Sequence, residues 1–170
     1  MNNQKIYRYT LPFVFFLMML IDGHISSALL GYFAVPMDFT SNLLLIVLMF
    51  STFQMEKSYM ITWASIIGLL YDSYYYNVLG INFVLLPLMV MLTYLLFEHV
   101  IPNTYTIILS VIIFVTTLSI GRAGMLVLFN LTNGTTLDFF VRTLAPTLGI
   151  NILLILLLII PLKRWFNVKN

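Results

Sequence analysis

The sequence contains no cysteine and very little charge. Charged residues make up 8% of its 170 residues, against 61% hydrophobic residues, whereas a soluble domain carries about 25% charged residues. The composition therefore excludes an ordinary soluble globular protein. The missing cysteines exclude disulfides and thiolate metal sites, and two histidines make a poor metal centre. We predict no cofactor and no metal, and the net charge of +2 gives no reason to expect a nucleic-acid partner.

Catalytic signatures are also missing. The chain has no Gly-x-Ser-x-Gly, no His-Glu-x-x-His and no glycine-rich phosphate loop. Tyr71-Asp72 matches half of the intramembrane aspartyl protease signature, and Asp22 could supply a second carboxylate, but the Gly-x-Gly-Asp half is absent. We therefore predict that the protein is not an enzyme.

Apolar runs fill most of the chain, and a membrane-spanning helix needs about 20 apolar residues. The runs cover residues 10–33, 42–55, 59–77, 80–97, 104–129 and 139–162. They predict an all-α integral membrane protein, with residues 1–170 forming one compact bundle of six transmembrane helices. We interpret the first run as a retained span rather than a signal peptide, because Asp22 interrupts it and apolar residues resume through Phe33.

The second run is short, which leaves an alternative with five spans. Residues 43–55 would rise only about 20 Å as a helix, and residues 42–71 could form one tilted span instead. That span would bury Glu56 and Lys57 near the bilayer centre, at roughly 3 kcal/mol for each charge. With six spans, the basic residues of both termini and of the loop at Lys57 lie on one side. The positive-inside rule therefore favours six spans with both termini in the cytoplasm.

Four charged residues fall inside the predicted spans: Asp22, Asp72, Arg122 and Arg142. A rise of about 1.5 Å per residue puts all four beyond the membrane midplane, and an unpaired charge in hydrocarbon is costly. We therefore predict two ion pairs, Asp72 with Arg142 and Asp22 with Arg122. Three roles stay open for this charged layer: structural clamps between helices, a binding site, or proton and ion coupling.

One face of the fifth run carries small and hydroxyl side chains. Small residues let helices approach closely, and hydroxyls can bond across an interface. The pattern predicts a helix-packing seam formed by Thr106, Ser110, Thr117, Gly121 and Gly124. In the sixth run, Pro146 predicts a kink that frees a backbone carbonyl near Arg142.

Two short motifs lie in the third and sixth runs. The first is GLLYD followed by a glycine, and the second is RTLAP followed by an asparagine and a proline. Their main positions are Gly68, Asp72, Gly80, Arg142, Pro146, Asn151 and Pro161. Together with the length and the six short-looped spans, these motifs resemble the family of the rod shape-determining protein MreD, and the likeness covers nearly the whole chain.

The resemblance implies a multi-pass protein of the bacterial cytoplasmic membrane, a non-enzymatic scaffold of the cell-elongation complex that acts in cell shape. In that family the protein associates with MreC, a single-span protein with a large external domain. Through MreC it is linked to the MreB filament and to peptidoglycan synthesis by RodA and its transpeptidase partner. In this interpretation Asp72 is an internal clamp, and Gly80 permits a tight turn into the next span.

An alternative class is the substrate-binding S component of energy-coupling-factor vitamin transporters. These proteins are small six-span bundles, and MreD-like proteins are similar to them in architecture. They bind vitamins near the outer face, where the four charges are predicted to lie. The first-span alanine pairs that dock the coupling subunit are absent here, and Ser27-x-x-x-Gly31 is only a loose substitute. A tight small-molecule ligand that survives purification would favour this alternative.

Overall fold

A computed structural model describes residues 2–30, 40–76, 78–130, 136–166 and 168. The described residues are mainly helical and contain no strand, which confirms the predicted all-α class. The helices are α1 (Asn2–Leu30), α2 (Leu43–Ser51), α3 (Lys57–Tyr71), α4 (Ile81–His99), α5 (Thr104–Leu128), α6 (Thr136–Asp138) and α7 (Ala145–Trp165). A π-helical turn, Asp72–Tyr76, extends α3, and a second one, Phe139–Leu144, joins α6 to α7.

Among the described residues, four helices are long and apolar enough to cross a membrane. They are Tyr7–Ala28, Ile81–His99, Thr104–Leu128 and Phe139–Trp165. The other two runs differ from the prediction, because α2 has only 9 residues and α3 has 15. These two helices rise about 13 Å and 22 Å, less than the roughly 30 Å of a hydrocarbon core. Each predicted run therefore contains a helix, but the α-helices of the second and third runs are both shorter than a membrane span.

α2 lies inside the bundle rather than at its surface. All of its residues are buried, and it contacts α1, α3, α4 and α7. Its sequence, LLLIVLMFS, is apolar on every side, which is typical of a helix surrounded by protein or lipid on all faces. Burial on all sides by other helices explains why a nine-residue apolar helix is stable here without crossing the bilayer.

One end of the bundle brings the two described ends of the chain together. Tyr7 Oη donates a hydrogen bond to the carbonyl oxygen of Trp165 at 2.8 Å, and Tyr59 Oη donates to the carbonyl oxygen of Arg8. We call this the basic end, after Arg8, Lys57, Lys163 and Arg164. The start of α1 and the end of α7 therefore lie at the same end, while the orientation of that end in a membrane stays a prediction.

The predicted seam on α5 packs only in part. Ser110 is buried, and a Cβ at Gly121 would lie 2.9 Å from the side chain of Leu85. Thr117 is exposed, and a Cβ at Gly124 would meet open space. The seam packs only in part because α5 is rotated about its axis relative to the predicted orientation. Its buried face is centred on Ile107, Val111, Phe114 and Leu118. That face starts one position after Thr106, and one residue turns a helix by about 100°.

Candidate functional site

Asp72 caps the start of α4. Its carboxylate accepts hydrogen bonds from the backbone N–H groups of Gly80 at 3.0 Å, Asn82 at 2.8 Å and Phe83 at 3.1 Å, and from Asn82 Nδ2 at 2.8 Å. The first N–H groups of a helix have no partner within the helix, and its dipole favours a negative charge there. Asp72 is 0% exposed, so its carboxylate depends on these protein donors rather than on water.

Two glycines allow α3 and α4 to meet at this point. Gly80 has a φ of +118°, a conformation that side chains rarely adopt, and it forms the turn directly before α4. Gly68 lies against the backbone of α4, because a Cβ there would be 2.4 Å from the carbonyl oxygen of Asn82. The GLLYD motif therefore combines a close helix contact with the carboxylate that caps the neighbouring helix.

Asp22 caps the start of α2 in the same way. Its carboxylate accepts hydrogen bonds from Ser41 Oγ at 2.6 Å and from the backbone N–H groups of Leu43 at 2.7 Å and Leu44 at 2.9 Å. Asp22 is also buried. A carboxylate in the middle of α1 thus replaces the missing partners in the first turn of a helix that begins inside the bundle.

The chain just before α2 is not helical, although it lies at the depth of Asp22. The N–H of Ser41 donates to Ser26 Oγ at 3.0 Å, and the N–H of Asn42 donates to Asn151 Oδ1 at 2.9 Å. Irregular backbone at membrane depth is tolerated only where protein groups satisfy it. Side chains from α1 and α7 supply those groups here, and Thr147 Oγ1 on α7 also accepts from the N–H of Thr40 at 3.2 Å.

Arg122 on α5 joins the two capped helix starts. Its Nε donates to Asn82 Oδ1 at 2.9 Å, and its Nη1 donates to Asn42 Oδ1 at 3.0 Å. The guanidinium also lies over the ring of Tyr71, with 5.4 Å between Cζ and the ring centroid, a cation–π contact. Because Asn82 Nδ2 donates to Asp72, the Asn82 amide bridges the buried base and the buried acid.

These side chains form one buried polar layer. Counted from the basic end, its members on the four long helices and at the end of α3 lie at similar heights of about 21–27 Å, and hydrogen bonds place Ser41 and Asn42 beside them. Each is at most 7% exposed, and within the described ranges no buried side-chain nitrogen or oxygen lacks a hydrogen-bond partner. A carboxylate engaged in this way fixes helix ends. We define the polar layer as Asp22, Ser41, Asn42, Asp72, Asn82, Arg122, Thr147 and Asn151.

The predicted pair of Asp22 and Arg122 is close but indirect. Arg122 acts electrostatically on Asp22, yet its printed hydrogen bonds reach the two asparagine side chains instead. The pattern of charged residues placed both groups at a common depth. It did not reveal that amides stand between the charges.

The predicted pair of Asp72 and Arg142 is wrong. Arg142 Nε lies 3.2 Å from Asp138 Oδ1, and both side chains are about half exposed (50% and 48%). Arg142 belongs to the π-helical turn before α7 and does not join the polar layer. Asp72 meets backbone N–H groups instead, because the start of a helix offers a partial positive charge as well as donors.

The second motif contributes one member of the layer. Asn151 holds the chain before α2, as described above, whereas Pro146 lies in the first turn of α7, where proline is well tolerated. Pro161 is exposed on α7. The sequence reasoning missed Asn42 and Asn82, although each stands at the beginning of an apolar run, where a polar residue signals a helix start.

Comparison with known proteins identifies a family. The model of the family described as rod shape-determining protein MreD matches residues 3–169. The cell shape-determining protein MreD of Streptococcus pneumoniae (strain ATCC BAA-255 / R6) is 30% identical over 134 residues, which cover 79% of this chain and 81% of that protein. No solved structure matches the chain.

Proposed function

Because this chain belongs to the family of the rod shape-determining protein MreD, we propose that it acts in cell shape as a non-enzymatic membrane scaffold of the bacterial cell-elongation complex. In this role it associates with an MreC-like membrane protein and links the MreB filament to peptidoglycan synthesis by RodA and its transpeptidase. It lies in the cytoplasmic membrane as a multi-pass protein.

The observation that carries the scaffold role is the closed polar layer. Arg122 bonds the asparagines that open α2 and α4, and each of those helices is also held by an aspartate from the preceding helix. Such a network fixes which helices are neighbours and at what height. A scaffold needs this property, because its partners bind to surfaces whose geometry must stay constant.

The orientation of the protein follows from its charges. Four basic residues, Arg8, Lys57, Lys163 and Arg164, mark the basic end. Lysine and arginine are enriched on the cytoplasmic side of membrane proteins. We therefore place the basic end in the cytoplasm, which puts the polar layer in the half of the membrane that faces outward.

The layer also bears on the transporter alternative. A substrate-binding protein needs donors and acceptors that remain available to its ligand. In the polar layer the carboxylates of Asp22 and Asp72 are engaged by helix starts, and the guanidinium of Arg122 by asparagine side chains. This use of the charges favours a structural role over vitamin binding.

The test is affinity purification of the tagged chain from gently solubilised native membranes, followed by mass spectrometry. A tagged membrane protein of similar size from the same cells sets the background. Enrichment of MreC-like and wall-synthesis proteins over that background supports the scaffold. Recovery of a transporter coupling subunit with paired ATPases contradicts it, and so does a bound vitamin.

A further inference from the structure

α1 is the least covered of the four span-length helices. Only 22% of the residues in its most apolar window are buried, against 28% to 39% in the other three. Its exposed side chains lie three, four or seven residues apart and so share one face. We define the α1 outward face as Tyr9, Phe13, Phe16, Leu17, His24, Ser27 and Ala28.

His24 is the unusual member of this face. It lies about 25 Å along the helix from Tyr7, inside a hydrocarbon core that is about 30 Å thick. Its side chain is exposed, and the hydrogen bond found at His24 uses its backbone carbonyl, which accepts from Ser27 Oγ at 3.1 Å. Within the part of the chain that the structure describes, the imidazole itself has no hydrogen-bond partner.

Two exposed threonines on other helices are satisfied locally. The hydroxyl of Thr62 donates to the carbonyl of Ser58 at 2.9 Å, and that of Thr117 donates to the carbonyl of Ile113 at 2.8 Å. Each bond stays within its own helix, so these threonines can face lipid. The histidine ring has no such bond, although an unsatisfied polar group in hydrocarbon is expensive.

We propose that the α1 outward face docks a single transmembrane helix of a partner protein. Acyl chains offer no hydrogen-bonding group at the depth of His24, and any protein segment that reaches it through lipid must be helical. The docked helix presents apolar side chains to Phe13 and Leu17, and a carboxylate, amide or hydroxyl side chain to the imidazole. The inference rests on the proposed function, because the partner expected there is a single-span protein.

Photo-crosslinking in native membranes tests the docking face. A photoreactive amino acid replaces Phe13, Leu17 or Ala28 on α1, and matched lipid-facing positions on other helices, Leu88 and Leu157, serve as controls. We expect adducts with the single-span partner at least fivefold more abundant from α1 than from the controls. All five positions are exposed, so the substitutions leave the core untouched.

The other outcomes separate this inference from the proposed function. Partner adducts mainly from Leu88 or Leu157 overturn the α1 face and leave the scaffold role intact, and adducts between two copies of this chain through α1 also overturn it. Absence of adducts at every position overturns the docking face if affinity purification still recovers the partner. If purification recovers no partner either, both proposals fail.

The role of His24 is tested by two substitutions. His24→Leu removes the hydrogen bond and should lower partner recovery roughly two- to threefold, the effect of one average interhelical hydrogen bond. His24→Gln keeps a hydrogen-bonding side chain and should retain most of the recovery. Folded yield should be unchanged in both, because the imidazole makes no bond within the described chain. Undiminished recovery with His24→Leu would remove His24 from the interface.

Discussion

The α1–α2 pair and the α3–α4 pair use the same polar arrangement in different surroundings. In both pairs an aspartate on the first helix binds the first N–H groups of the second helix, and an asparagine at that helix start accepts a hydrogen bond from Arg122. The surroundings differ, because α2 is buried on all sides whereas α4 exposes Phe83 and Leu88. Capping by a buried carboxylate is therefore independent of contact with lipid.

The connections between the helices account for the rest of the difference. Gly80 lies only 8 residues after Asp72, so the chain turns back at once. Leu43 lies 21 residues after Asp22, and α1 continues past Asp22 to Leu30 before the chain returns to the same depth. The longer connection between α1 and α2 needs extra hydrogen bonds just before α2, and Asn151 supplies one of them. Each turn made inside the bundle therefore needs its own polar partners.

Substituting Arg122 tests whether both pairs depend on one residue, and its effect should be the largest. Arg122→Leu leaves the buried Asp22 carboxylate without its nearby positive charge and two buried asparagine oxygens without a donor. We expect a loss of about 3–5 kcal/mol in the free energy of unfolding, seen as little folded protein in size-exclusion chromatography of a fluorescent fusion. Arg164→Leu at the basic end is the control. A normal folded yield for Arg122→Leu would contradict the clamp.

Separate substitutions of the aspartates should distinguish the two pairs. Asp72→Asn and Asp22→Asn each place an amide N–H₂ among backbone donors. We expect about 2–3 kcal/mol for Asp72, which accepts from four donor groups, and about 1–2 kcal/mol for Asp22, which accepts from three. Denaturant titration in detergent measures both. A larger loss of unfolding free energy for Asp22→Asn than for Asp72→Asn would contradict this order. It would show that the stability of the protein depends more on the start of α2 than on the start of α4.

Gly68→Ala should weaken the α3–α4 pair alone. Its Cβ would lie 2.4 Å from the backbone oxygen of Asn82, which a side-chain rotation cannot relieve. We expect a cost of about 2 kcal/mol and faster amide hydrogen exchange in the first turns of α4. Gly124→Ala, where the new Cβ meets open space, is the matched control and should be neutral or slightly stabilising. Equal effects of the two alanines would argue against the close contact.

Asn151→Ala should give the smallest effect, confined to the α1–α2 pair. It removes the acceptor of the Asn42 N–H and should cost about 1 kcal/mol. Hydrogen exchange should speed up at the start of α2 and stay unchanged at the start of α4. If exchange rose equally in both helices, the two pairs would form one cooperative unit instead of two linked ones.

Much of the helical layout could be predicted from the sequence. Apolar runs located six helical segments, and the rise per residue put Asp22, Asp72 and Arg122 at one depth, where the structure brings them together. The sequence indicated only that the second run, Leu43 to Met55, is short for a span. It did not indicate that α2 is buried, because that burial depends on helices that come much later in the chain. The burial of α2 is therefore set by tertiary packing rather than by its own sequence.

The partners of the charges could not be predicted from charged residues alone. Matching acidic with basic residues predicted an ion pair between Asp72 and Arg142. The Asp72 carboxylate instead binds the N–H groups at the start of α4 and the side-chain amide of Asn82. Every residue except proline carries a backbone N–H, so these donors cannot be recognised from composition. The asparagines did leave a signal, because each interrupts an apolar stretch at a helix start. A polar residue at such a start therefore marks a candidate bridge between buried charges.

The burial of α2 has a consequence for the way the protein is made. Asn42 is held by Arg122, 80 residues later in the chain, and by Asn151, 109 residues later. A nine-residue helix is too short to span the bilayer on its own, so the contacts that hold the start of α2 become available only after α5 and α7 have been synthesised.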